Sequence, residues 1–194
     1  MSREPKESIR EKILLAAERR FWHFGIKKTT IDEIAADAEV GKGTVYLHFE
    51  SKEEIALDII THYKEMILVE QQAAAKDIRH AVLDRMKRVL TLPVMSAHER
   101  CRKSPTVMEM IQAIKPQMSQ RIRDLFDREV ELIASLIEEA NQSGEMHVDR
   151  PAEAAHIIKI ATLNFLPHSP ACAMIDDPMI EIANMVDLVF RGLR

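Results

Sequence analysis

Three observations predict an all-α chain. Glycine occurs only five times and aromatic residues make up 5% of the sequence. Long stretches consist of Ala, Leu, Ile, Met, Glu and Lys, residues that enter helices readily. Apolar residues recur at three- and four-residue spacing, and no segment reads as a strand.

The first helix is expected from about Ser8 to His23, with Ile9, Ile13, Ala17, Phe21 and Phe24 on one face and Gly25 as the stop. A short second helix opens on a capping box, Thr30 with Glu33, and buries Ile31, Ile34, Ala35 and Ala38. The third covers Lys42 to Phe49. A second capping box, Ser51-Lys52-Glu53-Glu54, then opens a long fourth helix to about Ala75. Beyond it, a helix from Asp77 to Leu92 is expected to break at Pro93. A loop carrying His98, Arg100, Cys101, Arg102 and Lys103 leads through Ser104-Pro105 into a short helix that Pro116 ends or kinks. The next long helix stops at about Gln142, before Gly144. Asp149-Arg150-Pro151 and Asp177-Pro178 each read as a cap followed by proline in the first turn, so the last two helices begin there.

With 194 residues the chain can bury a real core and divide into one small and one larger domain. Cys101 and Cys172 do not form a disulfide framework, and the charged start MSREPKESIREK has no apolar signal core. Lys159 and Asn164 interrupt the best apolar run below membrane length. These features predict a cytoplasmic protein with no membrane partner. A net charge of −4 means that any nucleic-acid binding must use a local patch.

The stretch VGKGTVYLHFESKEE, Val40 to Glu54, superficially suggests a nucleotide phosphate loop. It fails that pattern, because Ala36 stands at the first glycine position and Gly43 follows Lys42 where a hydroxyl is required. On a helical wheel, Val45 and Phe49 lie about 40° apart and mark a buried face, while Gly43, Thr44 and Leu47 fall on the opposite side. Tyr46 and His48 flank them. A major groove accepts such a helix: Thr44 can reach a base edge, Leu47 a thymine methyl, and Gly43 permits close approach. Tyr46, His48 and Lys42 are placed to grip phosphates, as are Lys52 and the free N–H groups that open the fourth helix. Thr30, at the start of the second helix, joins this set of DNA-contact candidates.

Residues 8 to 55 resemble the DNA-binding domain of the TetR (tetracycline-repressor-like) family of bacterial transcription regulators. The resemblance rests on I-R-E-K-I-L-x-A-A, on F-x-x-x-G-I-x-x-T-T-I-D-E-I-A-x-x-A, and on V-G-K-G-T-V-Y-L-H-F-E-S-K-E-E-I, together about a quarter of the chain. It implies a helix-turn-helix DNA-binding domain over residues 1–52, read out by the third helix. The long fourth helix would link this to a helical ligand-binding and dimerisation domain over residues 53–194. The implied function is repression of an operator, relieved by a small molecule, with no catalysis and no cofactor. Two positions depart from the family pattern. Glu39 replaces the usual turn glycine, where a left-handed backbone costs on the order of 1 kcal/mol, and Gly41 replaces the usual serine before the third helix.

Basic and acidic residues nearly balance over residues 1–52, so Lys27, Lys28, Arg3, Lys6 and Arg10 read as solvated charges. An N-terminal arm in the minor groove is the alternative for Arg3, Lys6 and Arg10.

In the last helix Glu181, Asn184, Asp187 and Arg191 cluster within about 120°, which leaves roughly 240° apolar, more than one buried face requires. Met179, Ile182, Val186, Val189 and Phe190, with Ile157 and Ile160 of the preceding helix, are the predicted dimer interface, a four-helix bundle on a two-fold axis. Glu153, His156, Lys159 and Thr162 form that preceding helix's wetter side. Such a dimer predicts a near-palindromic operator.

Ten of the eleven methionines lie in the C-terminal part, all but Met1. Met66, Met86, Met108, Met110 and Met118, with Phe126 and Phe165, are candidates to line an apolar effector pocket suited to an apolar or amphipathic molecule. His98 and Cys101 have metal-compatible spacing but no second pair, so no metal site is predicted. Cys101 beside Arg100, Arg102 and Lys103 has the surroundings of an oxidant-sensitive thiol. The competing function is an all-helical enzyme or protein-interaction adaptor with a purely structural helix-turn-helix. The enzyme lacks paired carboxylates or an activated nucleophile, and the adaptor lacks a broad apolar patch.

Overall fold

The computed structural model describes residues 8–114 and 120–192. Arg3, Lys6, Pro116 and Met118 lie outside the described residues. Within them the chain forms α1 (Ile9–Phe24), α2 (Ile31–Asp37), α3 (Lys42–His48), α4 (Lys52–Ala75), α5 (Val82–Lys103), α6 (Thr106–Ile114), α7 (Gln120–Gln142), α8 (Pro151–Leu163) and α9 (Pro178–Gly192), with a 3₁₀ turn at Pro170–Met174 before α9. Among the described residues every regular element is helical, and none is a strand.

Two compact units result. One takes the chain through His62 together with the segment from Cys101; the other takes Tyr63–Arg100 and the segment from Ser119 onward. The division falls within α4 and sets α6 in the first unit, whereas the expected boundary lay at residue 52.

In the first unit, α1 begins at Ser8, whose hydroxyl accepts from Glu11 N while Glu11 reaches back, a capping box beyond the two expected. Ile13, Ala16, Ala17 and Phe21 are buried. Phe24, expected in the core, is 51% exposed: it shares the buried face of the wheel but is the last residue of α1, and it meets the His23 ring in a T-shaped contact. Gly25 is required by its φ of +82°; a Cβ there would also lie 2.7 Å from Glu109 Oε2, the movable end of a side chain on α6. The hydroxyls of Ser104 and Thr106 both donate to Trp22 O at 3.0 Å, so the start of α6 satisfies a carbonyl at the end of α1.

In the second unit, α5 runs unbroken through Pro93, which corrects the expected break. The proline removes the N–H that would bond Val89 O four residues earlier. Gln71 Nε2 from α4 takes that buried carbonyl at 2.8 Å. With the helix intact, His98 to Lys103 are helical rather than a loop. Gly144, with φ +76°, closes α7, and the Asn141 side chain exchanges two hydrogen bonds with the Val148 backbone to hold the turn into α8. Pro151 is the first residue of α8, but the cap position is Arg150 rather than Asp149, and no side chain caps it. Asp177 caps α9 as expected, accepting from Met179 N and Ile180 N.

Met86, Val89, Ile133, Ile137 and Ile158 pack in the core of this unit with Ile182, Val186 and Phe190.

Candidate nucleic-acid interface

The reading head is assembled from loops whose polar groups are satisfied locally. Thr29 Oγ1 donates to Gly25 O at 2.9 Å, closing the turn after α1. Thr30 accepts from Glu33 N and donates to the Glu33 carboxylate, and the Thr30 N–H and hydroxyl together hold the pKa of Glu33 below its ordinary value. Arg20 of α1 meets Asp37 through two nitrogens, at 2.6 and 3.0 Å, and Glu33 at 3.1 Å, so α2 is stitched to α1 by a forked ion pair. The turn between α2 and α3 places Glu39 at φ +56°, the one positive-φ non-glycine residue among those described. The expected strain is therefore present. Gly41 caps α3 without a side-chain bond, also as its replacement of serine implies.

Val45 and Phe49 are buried, and this orients α3. Gly43, Tyr46, Leu47 and His48 are exposed and Thr44 is half-buried on its other side; Leu47 is 84% exposed. Nothing lies within 4 Å of the space a Cβ would fill at Gly43. The face combines open backbone, a hydroxyl, an aliphatic tip and two polar-tipped rings.

The charged candidates are arranged less simply. Lys42 pairs with Asp32 at 2.8 Å on the surface, and that hydrogen bond raises the lysine's pKa. Lys52 donates to Ile26 O at 2.8 Å, Thr29 O at 3.1 Å and Lys27 O at 3.4 Å. Its ammonium, expected at a phosphate, closes the loop between α1 and α2. The second capping box is half formed: Ser51 Oγ accepts from Glu54 N, but the Glu54 carboxylate accepts from Glu50 N. Lys27 and Lys28 are exposed, as expected. Arg10 is exposed, as expected, but also pairs with buried Asp58 and lies over the Phe49 ring, 5.0 Å from its centroid.

The effector and dimer candidates separate by burial. Met86 is core packing rather than a free pocket wall, Met110 is buried on α6, Met108 is half-buried and Met66 is exposed. Phe126 meets the His156 ring edge-on at 5.5 Å, and Phe165 packs against the second unit's core. On α9, Ile182, Val186 and Phe190 are interior, which corrects their placement on an outer interface. Met179 and Val189 are half-buried. Ile157 and Ile160 of α8 are exposed, together with Ile180 and Leu188 from the wide apolar arc of α9. Lys159 and Thr162, assigned to the wet side of α8, are buried; Lys159 donates to Glu129 on α7 at 2.8 Å, and Thr162 Oγ1 donates to Lys159 O at 2.7 Å. His98 Nε2 donates to Phe165 O at 2.7 Å, with Cys172 Sγ 3.7 Å away, a contact between distant segments that spacing did not reveal. No group of three or more candidate ligands that could hold a metal occurs among the described residues.

Comparison with known proteins decides the family. Residues 13–59 match the family described as bacterial regulatory proteins, tetR family, and residues 83–183 match the tetracyclin repressor-like C-terminal domain. The chain belongs to the TetR family. It is 30% identical over 169 residues to the HTH-type transcriptional repressor BepR of Brucella suis, covering 78% of this chain and 75% of that one. It is 49% identical over 53 residues to the regulator YhgD of Bacillus subtilis, but that match covers 27% of this chain and 28% of the relative. Among solved structures, a transcriptional regulator from Cytophaga hutchinsonii superposes with TM-score 0.70 at 20% identity, over 94% of this chain and 97% of that one. FadR from Bacillus subtilis in complex with stearoyl-CoA gives 0.67 at 17%, over 94% and 98%. These two likenesses share the all-helical fold. As a TetR-family member the protein is a DNA-binding transcriptional regulator rather than an enzyme. Regulators of this family bind DNA operators and ligands and are typically dimers. No described helix is long and apolar enough to cross a membrane.

Proposed function

We propose that this regulator is a repressor that reads a near-palindromic operator through α3 of two copies and is released by a small apolar or amphipathic molecule. The observation that carries the reading is the exposed face of α3: Thr44 and Leu47 turn toward bases, Gly43 admits the groove edge, and Tyr46 and His48 flank them for phosphates. Lys42 is held by one surface ion pair, which a phosphate can displace at little cost. Thr30 and Lys52 act one step back, Thr30 by capping α2 and Lys52 by fixing the loop before it. The remaining domain, from residue 53, carries the effector and the dimer contact, and the protein works in the cytoplasm. Ile157, Ile160, Ile180 and Leu188 supply apolar surface for a four-helix contact between copies, with Met179 and Val189 at its margin.

An effector acts by preferring the conformation whose reading heads are wrongly spaced for DNA, and it can shift the equilibrium only by that difference in affinity. The test is selection of bound duplexes from a random library, followed by titration at two salt concentrations. An enriched palindrome with salt-sensitive binding is expected. No enrichment and no salt-dependent binding would return the reading head to a structural role.

A further inference from the structure

Within the second unit, α4 and α5 carry an open apolar strip between charges of opposite sign. On α4, Glu65, Val69, Ala73 and Lys76 are all exposed and follow one another at three- and four-residue spacing, so they share one stripe, with Met66 beside it. Met66 is 48% and Val69 63% exposed. The two helices run antiparallel: Arg100 lies over the Tyr63 ring, Gln71 reaches Val89 O and Arg85 reaches Ala75 O. That register sets exposed Met95 of α5 beside the Met66 end of the stripe, while Leu92 and Arg88 border a groove with Ala73. Lys87, about 100° round α5 from Arg88, pairs with Asp187 of α9. Helix α9 therefore packs on another side of α5 and leaves this strip uncovered.

The charges are sorted by end. Glu65 and Glu70 precede the middle of the stripe, and Lys76, Arg79 and Arg88 surround its close. Arg79 and Arg88 pair with Asp77, whereas the side chains of Glu65, Glu70 and Lys76 make no hydrogen bond or ion pair among the described residues. A surface that fits must offer an apolar middle with the signs reversed along its length. The same stripe turned end for end meets that description. A two-fold axis across α4 sets Glu65 of one copy opposite Lys76 of the other and Val69 opposite Ala73, whose small side chain lets the helices approach. The parallel arrangement would set like charges together.

We propose that the α4–α5 face binds a second copy of this chain, antiparallel about a two-fold axis, in addition to the contact through α8 and α9. The face is about 25 Å long and 20 Å wide, roughly 500 Å² per copy, which sits at the low end of specific interfaces. The contact is accordingly weak, with a dissociation constant on the order of tens of micromolar, and it joins dimers at high local concentration rather than building a permanent assembly.

The test is sedimentation equilibrium of the full chain over a concentration series, with Leu188→Glu alongside to isolate this contact from the one through α9. The mass of the parent is expected to rise above the dimer with concentration, and Val69→Glu to hold it at the dimer. Glu65→Lys and Lys76→Glu should each weaken the association by about tenfold, because the two-fold repeats every lost pair, and the two together should restore it to within about threefold. Added salt should weaken it in the parent. A Leu188→Glu protein that stays dimeric beside a monomeric Val69→Glu would make this the sole contact and strike the α8–α9 reading. A parent that never exceeds the dimer while Leu188→Glu is monomeric throughout would overturn the proposal, leaving the strip to a different protein. Failure of the double charge reversal to rescue the single ones would overturn it too, since the copies would not then meet end for end.

Discussion

Gln71 and Val89 form a pair that Pro93 makes necessary. The proline leaves the Val89 carbonyl without its helical N–H, and Gln71 Nε2 supplies the donor at 2.8 Å from α4. Gln71→Met strands a buried carbonyl and is expected to destabilise the protein by about 1–3 kcal/mol. Pro93→Ala restores the N–H, so in that background the same substitution should cost much less. Urea denaturation of the four proteins at one protein concentration checks this; strictly additive effects would mean that the two residues do not serve the same carbonyl.

Glu39 holds a left-handed backbone at φ +56° in the turn between α2 and α3. Glu39→Gly relieves about 1 kcal/mol of strain but adds unfolded-chain freedom that offsets about 0.4–1 kcal/mol of it, so a stabilisation of up to about 0.5 kcal/mol is expected. Affinity for duplex DNA should stay the same, because the residue lies off the exposed face of α3. A lower thermal midpoint in the glycine variant would show that the Glu39 side chain outweighs the strain.

Lys52 and Tyr46 are expected to separate stability from contact. Lys52→Met leaves the carbonyls of Ile26 and Thr29 without their shared donor and should lower stability by about 1–2 kcal/mol. Tyr46→Ala should leave the thermal midpoint unchanged and weaken binding alike on all duplexes. Unfolding curves and anisotropy titrations on both variants decide it; equal loss of stability would place Tyr46 in the packing.

Asp77 gathers Arg79 at 2.7 Å, His80 at 3.2 Å and Arg88 at 3.6 Å around the turn into α5. The hydrogen bond from Arg79 holds its pKa well below the usual carboxylate range. A carboxylate whose folded pKa lies below its unfolded value, about 3.9, stabilises fully above that value and loses the contribution as pH falls through the folded pKa. Asp77→Asn should therefore lower the thermal midpoint at neutral pH, with the gap closing below about pH 4. A gap that persists at the acid end would assign the effect to the shape of the side chain.

What could be read from the sequence was local. Thr30 and Glu33 are three residues apart, and the φ of Glu39 follows from its place in the turn, so both were visible in one dimension. The partners of Lys52 lie 23 to 26 residues earlier and Glu129 lies 30 before Lys159. A lysine that finds such a partner reads as a wet-side residue until the helices meet. Pro93 signalled a break because the donor that rescues it is on another helix. The wide apolar arc of the last helix was legible, but its division between core and surface depends on where α7 and α8 pack.

That division makes the assembly testable. Ile182, Val186 and Phe190 fill the protomer, while Leu188 is 72% and Ile157 66% exposed on α9 and α8. Leu188→Glu and Ile157→Glu each place a charge where a second copy would bury an apolar side chain, and neither position is needed for the protomer core. Both are expected to fold with a near-unchanged helical signal and to shift the sedimentation equilibrium from dimer to monomer by about tenfold or more in dissociation constant, since an unpaired buried charge costs several kcal/mol. Operator affinity should fall with dimerisation, because two linked reading heads bind far more tightly than one. If both variants remain dimeric at the parent's dissociation constant, the copies meet through another surface, and α8 and α9 carry their exposed isoleucines and leucine for a different partner.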